Sequence, residues 1–223
     1  MITVHHLENS RSQRVLWLLE ELGLPYEVKH YARDKKTMLA PPELRAVHPL
    51  GRSPVITDNG KTVAESGAII EYLVDTYGQG RLKPPAGSDE RLRYTYWLHF
   101  AEGTAMPPLL IKLIVDRMER AKAPFFVKPI VRGIVQQLRK GFVDRQITSN
   151  LDFMESELKK SEWFAGNEFT AADIQMSFPC EVAKARGGLD QSRPKLMSFL
   201  DRIHARPAYK RALEKGGPYE LLK

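Results

Sequence analysis

The chain has a single cysteine and no apolar run long enough to cross a membrane. Cys180 has no second cysteine to pair with among the 223 residues, which is typical of proteins from a reducing compartment. The longest apolar run, residues 107–115, is interrupted by Lys112. Met1 leads directly into Ile-Thr-Val, without the basic and apolar regions of a signal segment. We therefore expect a cytoplasmic protein without an internal disulfide.

The sequence also lacks the patterns that hold nucleotides and metals. It has no glycine-rich phosphate loop, and its histidine, cysteine and carboxylate residues show no metal-ligand spacing. We therefore predict neither a metal site nor a dinucleotide cofactor.

Acidic residues are fewer than basic ones, which gives a formal net charge of +7. Glu119 and Asp144 interrupt the most basic segment, and no RNA- or DNA-binding signature or aromatic platform accompanies it. We interpret this segment as a solvated face that attracts small anions rather than nucleic acid. Its basic residues are Arg117, Arg120, Lys122, Lys128, Arg132, Arg139, Lys140 and Arg145.

What the chain does contain is a dense run of structural signals in residues 47–77. Pro54 has no N–H to give to a sheet, so it marks the start of a strand. Asn59-Gly60 is a strong hairpin signal, and the return strand is predicted over residues 61–65. Two antiparallel strands and a following helix are therefore expected here.

Glu65 and Ser66 stand at the start of that helix, which runs to Tyr77 by its apolar spacing. Free backbone N–H groups and the helix dipole favour a carboxylate at this end, and the Glu65 side chain can pair with an ammonium group. The turn therefore suits both ends of an amino acid. The alternative is that Glu65 and Ser66 only cap the helix.

The residues before this motif predict strand, helix and strand, so the first part of the chain reads βαβ followed by ββα. In chain order the segments are a strand at 2–6, a helix from Ser10 or Ser12 to Leu22, a strand at 26–31 and a weaker helix at 37–47.

Glycine and proline concentrate after Tyr77, and nothing beyond them reads as a strand. We predict domains at 1–78 and 89–223 joined by a linker at 79–88. A capping box, Thr170-Ala-Ala-Asp173, begins one helix. The other helical segments are 89–120, with a kink or a break at Pro107-Pro108, then 126–160, 194–205 and 207–215.

The motifs H-P-L-G-R-S-P-V-I, E-S-G-A-I-I-E-Y-L and W-F-A-G-N-E-F with the capping box resemble those of cytosolic glutathione transferases, in the order of that family. The segment S-R-S-Q-R-V-L-W-L-L-E-E-L resembles a bacterial and fungal serine-type group. The resemblance implies a thioredoxin-like α/β N-terminal domain followed by an all-α domain. It also implies a homodimer active in detoxification, with glutathione as co-substrate and no tightly bound cofactor.

The resemblance also implies a set of glutathione-binding residues. The backbone of Ser53, before a proline that the family holds in cis, is expected to bind the cysteine of glutathione, with Pro54 beside it. Glu65 and Ser66 are expected to hold the γ-glutamyl end. Arg52 occupies the place of a lysine that faces the glycine carboxylate, although it also fits a solvated surface position.

The catalytic group is expected in the loop after the first strand, where the family stabilises the glutathione thiolate. The resemblance selects Ser10 as the hydroxyl donor, with Ser12, Asn9 and Arg11 as rivals. Ser10 and Gln13 also fit a capping box for the first helix, which would give Ser10 a structural role. No cysteine lies in this loop, which argues against disulfide exchange through a protein thiol.

The second substrate is expected to be a hydrophobic electrophile bound between the domains; a hydroperoxide is a further candidate. Met106, Leu109, Leu110 and Leu113 are candidate walls, although their spacing also fits an ordinary core stripe. Glu102 is a candidate for contact with glutathione in the partner subunit. The alternative to an enzyme is a non-catalytic, transferase-like module that binds proteins.

Overall fold

The structure, a computed structural model, describes residues 1–37, 39–121, 124–217, 219 and 221. Met38, in the weaker predicted helix, and Lys122, in the basic segment, lie outside the described residues. The first part of the chain contains β1 (Ile2–Leu7), α1 (Ser12–Leu22), β2 (Tyr26–Tyr31), α2 (Pro42–Val47), β3 (Val55–Asp58), β4 (Lys61–Ala64) and α3 (Ser66–Tyr77).

The four strands form one sheet in the order β2-β1-β3-β4. β1 pairs with β2 in parallel and with β3 antiparallel, so that Val4 lies opposite both Val28 and Ile56. The turn between β3 and β4 places Asn59 and Gly60 at positive φ, 47° and 80°, as a tight hairpin requires. The predicted βαβ–ββα order and thioredoxin-like fold class are therefore confirmed.

Over its described residues, the rest of the chain contains helices and connecting loops but no strand, as predicted. Its helices are α4 (Asp89–Phe100), α5 (Met106–Arg120), α6 (Lys128–Leu138), α7 (Asp144–Leu158), α8 (Ala171–Val182), α9 (Pro194–Ala205) and α10 (Pro207–Gly216). Three π-helical turns, Ala101–Ala105, Arg139–Val143 and Ala183–Gly187, follow α4, α6 and α8 without a break in the helix.

Two local predictions need correction. Among the described residues of the segment 37–47, only Pro42–Val47 are helical, because proline suits the first turn of a helix and disfavours helical geometry in the residue before it. Pro107-Pro108 does not break the segment 89–120: a π-helical turn precedes the two prolines, which then occupy the first turn of α5, where their missing N–H groups are tolerated.

The continuous helical segment Asp89–Arg120 is long and apolar enough to cross a membrane by length and composition alone. It also supplies core residues: Trp97, Ala101 and Leu109 are buried in the cluster that includes Val4 and Ile56 of the sheet. One hydrophobic core therefore runs through both parts of the molecule.

Helix α1 lies in the middle of this shared core and contacts the helical domain on two sides. Trp17 packs edge-on against Tyr209 of α10, with ring centroids 5.1 Å apart. Arg14, which is 2% exposed, donates to Gln175 of α8 at 2.6 Å. Because α1 begins next to the loop 8–11, these contacts fix the position of that loop.

Candidate functional site

A cleft of about 380 Å³ lies between the residues around β3, β4 and the start of α3 on one side and the π-helical turn Ala101–Ala105 and α5 on the other. Its lining includes all five residues predicted to bind glutathione and three of the other candidates. The lining residues are Arg11, His48, Leu50, Arg52, Ser53, Pro54, Ala64, Glu65, Ser66, Glu102 and Leu110. A larger cavity of about 470 Å³, between the linker and the start of α8, contains none of the predicted site residues.

Ser53 is fixed at the cleft wall by bonds to the end of β1. Its hydroxyl donates to the carbonyl oxygen of His5 at 3.1 Å and accepts the N–H of Leu7 at 3.4 Å. The peptide bond between Ser53 and Pro54 is cis, as the resemblance implies. Ser53 thus joins the cleft to the loop that carries the candidate catalytic residues.

Glu65 precedes α3 with a left-handed φ of 73°, which is unusual for a residue other than glycine. No side chain of the described residues caps the start of this helix, and Ser66 is 3% exposed at its first position. The alternative in which Glu65 and Ser66 serve only as caps is therefore not what the structure shows. The turn leaves the positive helix end directed at the cleft lining, which suits an anionic ligand.

Three serine hydroxyls form a chain from the protein interior to the cleft. The Oγ of Ser10 lies 2.7 Å from the Oγ of Ser12 and 3.2 Å from the Oγ of Ser53. Ser12 in turn lies 2.9 Å from Nδ1 of His6. Ser10 is 6% exposed and is one hydrogen bond behind the cleft wall.

The Ser12 hydroxyl has two acceptors for its proton, Nδ1 of His6 at 2.9 Å and, further away, the carbonyl oxygen of Leu7 at 3.5 Å. Burial, followed by the charge of His30, lowers the pKa of His6 to about 4, so its ring is neutral near neutral pH. The ring also bonds to the backbone of Gly216, which requires a ring N–H and leaves Nδ1 as the acceptor for Ser12. The bond between Ser10 and Ser12 is then donated by Ser10.

Ser10 does not form the capping box that its spacing from Gln13 allows. The residue before α1 is Arg11, which makes no side-chain cap, and Nε2 of Gln13 is buried without a partner among the described residues. In the part of the chain that the structure describes, the one helical N–H that reaches the Ser10 hydroxyl is that of Ser12, at 3.3 Å. Of the two interpretations of Ser10, the structure therefore disfavours the capping box.

Glu102 lies on the same cleft and pairs with two arginines of its own chain. It accepts from Nε of Arg11 at 2.9 Å and from Nη2 of Arg14 at 2.7 Å. Burial raises the pKa of Glu102, but Arg14 and Arg11 outweigh burial and hold the pKa below its ordinary value. Glu102 is therefore a charged link between the two domains, and its contact with a partner subunit stays a prediction.

The four predicted walls of the electrophile site lie in different surroundings. Met106 and Leu109 are 5% and 4% exposed and belong to the core, as the alternative interpretation of their spacing holds. Leu110 is 51% exposed and lines the cleft, and Leu113 is partly buried. The structure therefore leaves Leu110 and Leu113 as the accessible candidates.

Sequence analysis did not identify His6, Arg14 or Gln175 as parts of this site. His6 was assigned only to the first strand, and Gln175 is 161 residues away from Arg14. Both guanidinium groups of Arg11 and Arg14 also lie 4.9 Å from the ring centre of Phe178. Contacts between distant segments leave no signal in one sequence, although a buried arginine in an apolar helix is itself a signal for a partner.

Comparison with known proteins finds two family models on this chain. The model of the glutathione S-transferase N-terminal domain matches residues 10–76, and that of the C-terminal domain matches residues 125–207. Glutathione S-transferase 3 of Schizosaccharomyces pombe is 39% identical over 216 residues, which are 96% of this chain and 88% of the relative. Glutathione S-transferase 1 of Saccharomyces cerevisiae is 32% identical over 223 residues, 96% of this chain and 95% of the relative.

Solved structures agree with this result. A glutathione S-transferase from Actinobacillus pleuropneumoniae superposes with a TM-score of 0.81 at 32% identity, covering 100% of this chain and 96% of its own. A glutathione transferase from Phanerochaete chrysosporium, in complex with oxidized glutathione, gives a TM-score of 0.74 at 27% identity and covers 96% of both chains.

Proposed function

The chain belongs to the glutathione S-transferase family, and from that premise we propose that Ser10 stabilises the glutathione thiolate in the cleft described above. Glutathione transferase function is supported by the curated relatives and the solved structures alike. The alternative of a non-catalytic protein-binding module is not favoured. We assign this chain the conjugation of glutathione to a hydrophobic electrophile, with the same thiolate available for reduction of a hydroperoxide.

Glutathione is proposed to lie along the cleft wall formed by Ser53, Glu65 and Ser66. The start of α3 suits the carboxylate of the γ-glutamyl end, and the exposed Glu65 side chain suits its ammonium group. Arg52 is exposed on the same wall and suits the glycine carboxylate. Ser53, fixed by its bonds to β1, suits the central cysteine.

The observation that carries the proposal is the hydroxyl chain that ends at Ser53. The Ser53 hydroxyl donates to a carbonyl oxygen and the Ser12 hydroxyl donates to His6, so both of their protons are committed. Among the described residues, the Ser10 proton has only neutral hydroxyl oxygens as acceptors, at 2.7 and 3.2 Å. A thiolate is a stronger acceptor than either, so Ser10 can turn its proton to a bound ligand.

Arg11 supports the same charge from the cleft side. Its Nε is held by Glu102, whereas its terminal nitrogens make no hydrogen bond to any residue that the structure describes. A thiol titrates near pH ~8.5, and lowering its pKa by about two units takes roughly 2.7 kcal/mol. One charge-assisted hydrogen bond from Ser10 and a nearby guanidinium group are sufficient for that amount.

In conjugation, the thiolate sulfur forms a bond to an electrophilic carbon and the leaving group departs with its bonding electrons. The thiol proton passes to solvent before this step. The protein therefore needs to hold the anion and orient it, and no group in the cleft has to accept that proton permanently. We further propose a homodimer in the cytoplasm, as the family resemblance implies.

The test is a titration of the ultraviolet thiolate absorbance of glutathione bound to the purified protein. We expect a thiol pKa well below ~8.5 in the wild type and a rise of about one unit or more in Ser10→Ala. Ser149→Ala, an exposed hydroxyl on α7, is the matched control and should match the wild type. An unchanged pKa in Ser10→Ala would remove Ser10 from the proposal, and Arg11→Gln would then show whether Arg11 supplies the effect.

A further inference from the structure

Arg14 is buried behind the cleft and has no carboxylate of its own. Its Nη2 donates to Glu102 at 2.7 Å, and Arg11 uses the same carboxylate at 2.9 Å. Its Nη1 donates to the neutral amide oxygen of Gln175 at 2.6 Å, and its Nε has no partner among the described residues. Buried arginines are usually paired with a counter-charge. At Arg14 a neutral side chain stands where a second carboxylate would fit.

The second neutral partner is Phe178, which follows Gln175 by three positions on α8 and so lies on the same side of that helix. Its ring centre lies 4.9 Å from Cζ of Arg11 and 4.9 Å from Cζ of Arg14. The negative face of an aromatic ring attracts a guanidinium group without cancelling its formal charge. Helix α8 therefore holds the two arginines through neutral groups alone.

This arrangement leaves an excess positive charge beside the cleft, because two guanidinium groups share one carboxylate. Arg11 is the arginine that lines the cleft, and its side chain is 33% exposed, against 1% for that of Arg14. The other charged lining residues, Arg52 and Glu65, are assigned above to the two ends of glutathione. The excess charge therefore reaches the cleft through Arg11.

The other titratable groups near the two arginines do not cancel this excess. Arg186 and Tyr219 are within electrostatic range of Arg11, and burial, followed by Glu181, raises the pKa of Tyr219 and keeps it neutral. Glu181 accepts the Tyr219 hydroxyl at 2.8 Å and, in the part of the chain that the structure describes, forms no ion pair with an arginine. His48 lines the same cleft and can only add positive charge.

We propose that Gln175 is a positioning residue for the glutathione thiolate: together with Phe178 it holds Arg14 without a counter-charge, so that the excess positive charge is left to Arg11 in the cleft. This inference rests on the proposed function and deepens it, because it makes a neutral residue of α8 part of the control of the thiolate. A carboxylate at position 175 would cancel the excess charge, and the thiolate would lose part of its stabilisation.

The test changes the charge of this group by nearly isosteric substitutions and titrates the ultraviolet thiolate absorbance of bound glutathione. Gln175→Glu gives Arg14 a carboxylate of its own, so we expect the thiol pKa to rise by roughly half a unit. Gln137→Glu makes the same change of charge at an exposed position of α6 and is the matched control, which should keep the wild-type pKa.

Glu102→Gln makes the opposite change, because both arginines then lack a carboxylate while an amide oxygen can still accept from them. We expect the thiol pKa to fall by a similar amount. The double variant, Gln175→Glu with Glu102→Gln, moves the carboxylate from one partner of Arg14 to the other and should restore a pKa near the wild-type value. If the two side chains served only to hold the structure together, both single variants would raise the pKa instead.

The outcomes separate this inference from the proposed function. Shifts of the same sign in both single variants, or a wild-type thiol pKa in Gln175→Glu, would overturn the role of Gln175. If Gln175→Glu fails to fold, Glu102→Gln decides alone, since Glu102 is partly exposed: a fall in the thiol pKa supports the inference and a rise overturns it. A thiol pKa well below its ordinary value in the wild type leaves the proposed function intact in all these cases. Absence of glutathione binding, or an ordinary thiol pKa in the wild type, would overturn the proposed function and this inference with it.

Discussion

The same sequence pattern, a hydroxyl residue followed three positions later by an acid or amide, stands at the start of α1 and of α8. At α8 the pattern forms a closed capping box between Thr170 and Asp173. At α1 the Ser10 hydroxyl bonds to Ser12 and Ser53 instead, and Gln13 takes no part. A cap motif therefore predicts a cap only when nothing else competes for its hydroxyl.

The surroundings explain the difference. The Asp173 carboxylate is fully buried and accepts the N–H groups of Thr170 at 2.8 Å and of Phe164 at 2.9 Å, so it ties the helix start to the preceding loop. Ser10 lies where β1, α1 and the Ser53 loop meet, and other hydroxyls are within reach. One helix start is used for stability, and the other is proposed to be used for chemistry.

The largest expected loss of stability comes from breaking the capping box at the start of α8. Asp173→Ala leaves two buried N–H groups and a hydroxyl without an acceptor, so we expect it to lower the free energy of unfolding by about 4 kcal/mol. Urea unfolding followed by circular dichroism measures this. Asp190→Ala is the matched control, because Asp190 accepts a similar N–H bond from Ser192 but is exposed. Equal effects of the two substitutions would contradict the structural role of the box.

A second prediction concerns the inner end of the hydroxyl chain. The folded pKa of His6 is about 4 and the unfolded value is about 6.5, so the unfolded chain binds more protons between these values. The contribution of neutral His6 to the free energy of unfolding is therefore complete above pH 6.5. It is lost as the pH falls to about 4, and the loss is roughly 3 kcal/mol at most.

His6→Asn removes this titration while its side-chain oxygen can still accept from Ser12. Urea unfolding at several pH values should show a shallower loss of stability in this variant than in the wild type. His99→Asn, on the exposed side of α4, is the control and should keep the wild-type slope. An identical slope in His6→Asn would mean that His6 does not stay neutral in the fold.

Local signals in the sequence were sufficient for most of the fold. The Asn59-Gly60 turn and the Thr170 capping box each depend on residues close together in the chain, and both are observed. The helix predicted over 37–47 begins instead at Pro42, whose ring suits the first turn of a helix.

The site residues also fall into those that local sequence signals predicted and those that they did not. The continuous motif from Arg52 to Ser66 was predicted as a unit, and its members line one cleft. The links of Arg14 to Gln175 and of Ser12 to His6 were not predicted, because each joins side chains through folding rather than through sequence spacing. The Ser10 hydroxyl bonds to Ser53, 43 residues away, instead of forming the capping box with Gln13, and the sequence spacing does not predict that bond either.

The smallest expected effect compares the two hydroxyls directly. Thr170→Ala removes a hydroxyl that donates to Asp173 at 3.1 Å inside the core, so we expect a loss of about 1.5 kcal/mol, most of which Thr170→Ser should restore. Ser10→Ala should cost less, about 1 kcal/mol, because Ser12 and Ser53 keep other acceptors for their hydroxyl protons and the substitution removes only the 3.3 Å bond that the Ser12 N–H donates. If Ser10→Ala proves as destabilising as Thr170→Ala in urea unfolding, then Ser10 has a structural role after all. The proposed contrast, in which Thr170 stabilises the fold and Ser10 acts on the thiolate, would then be wrong.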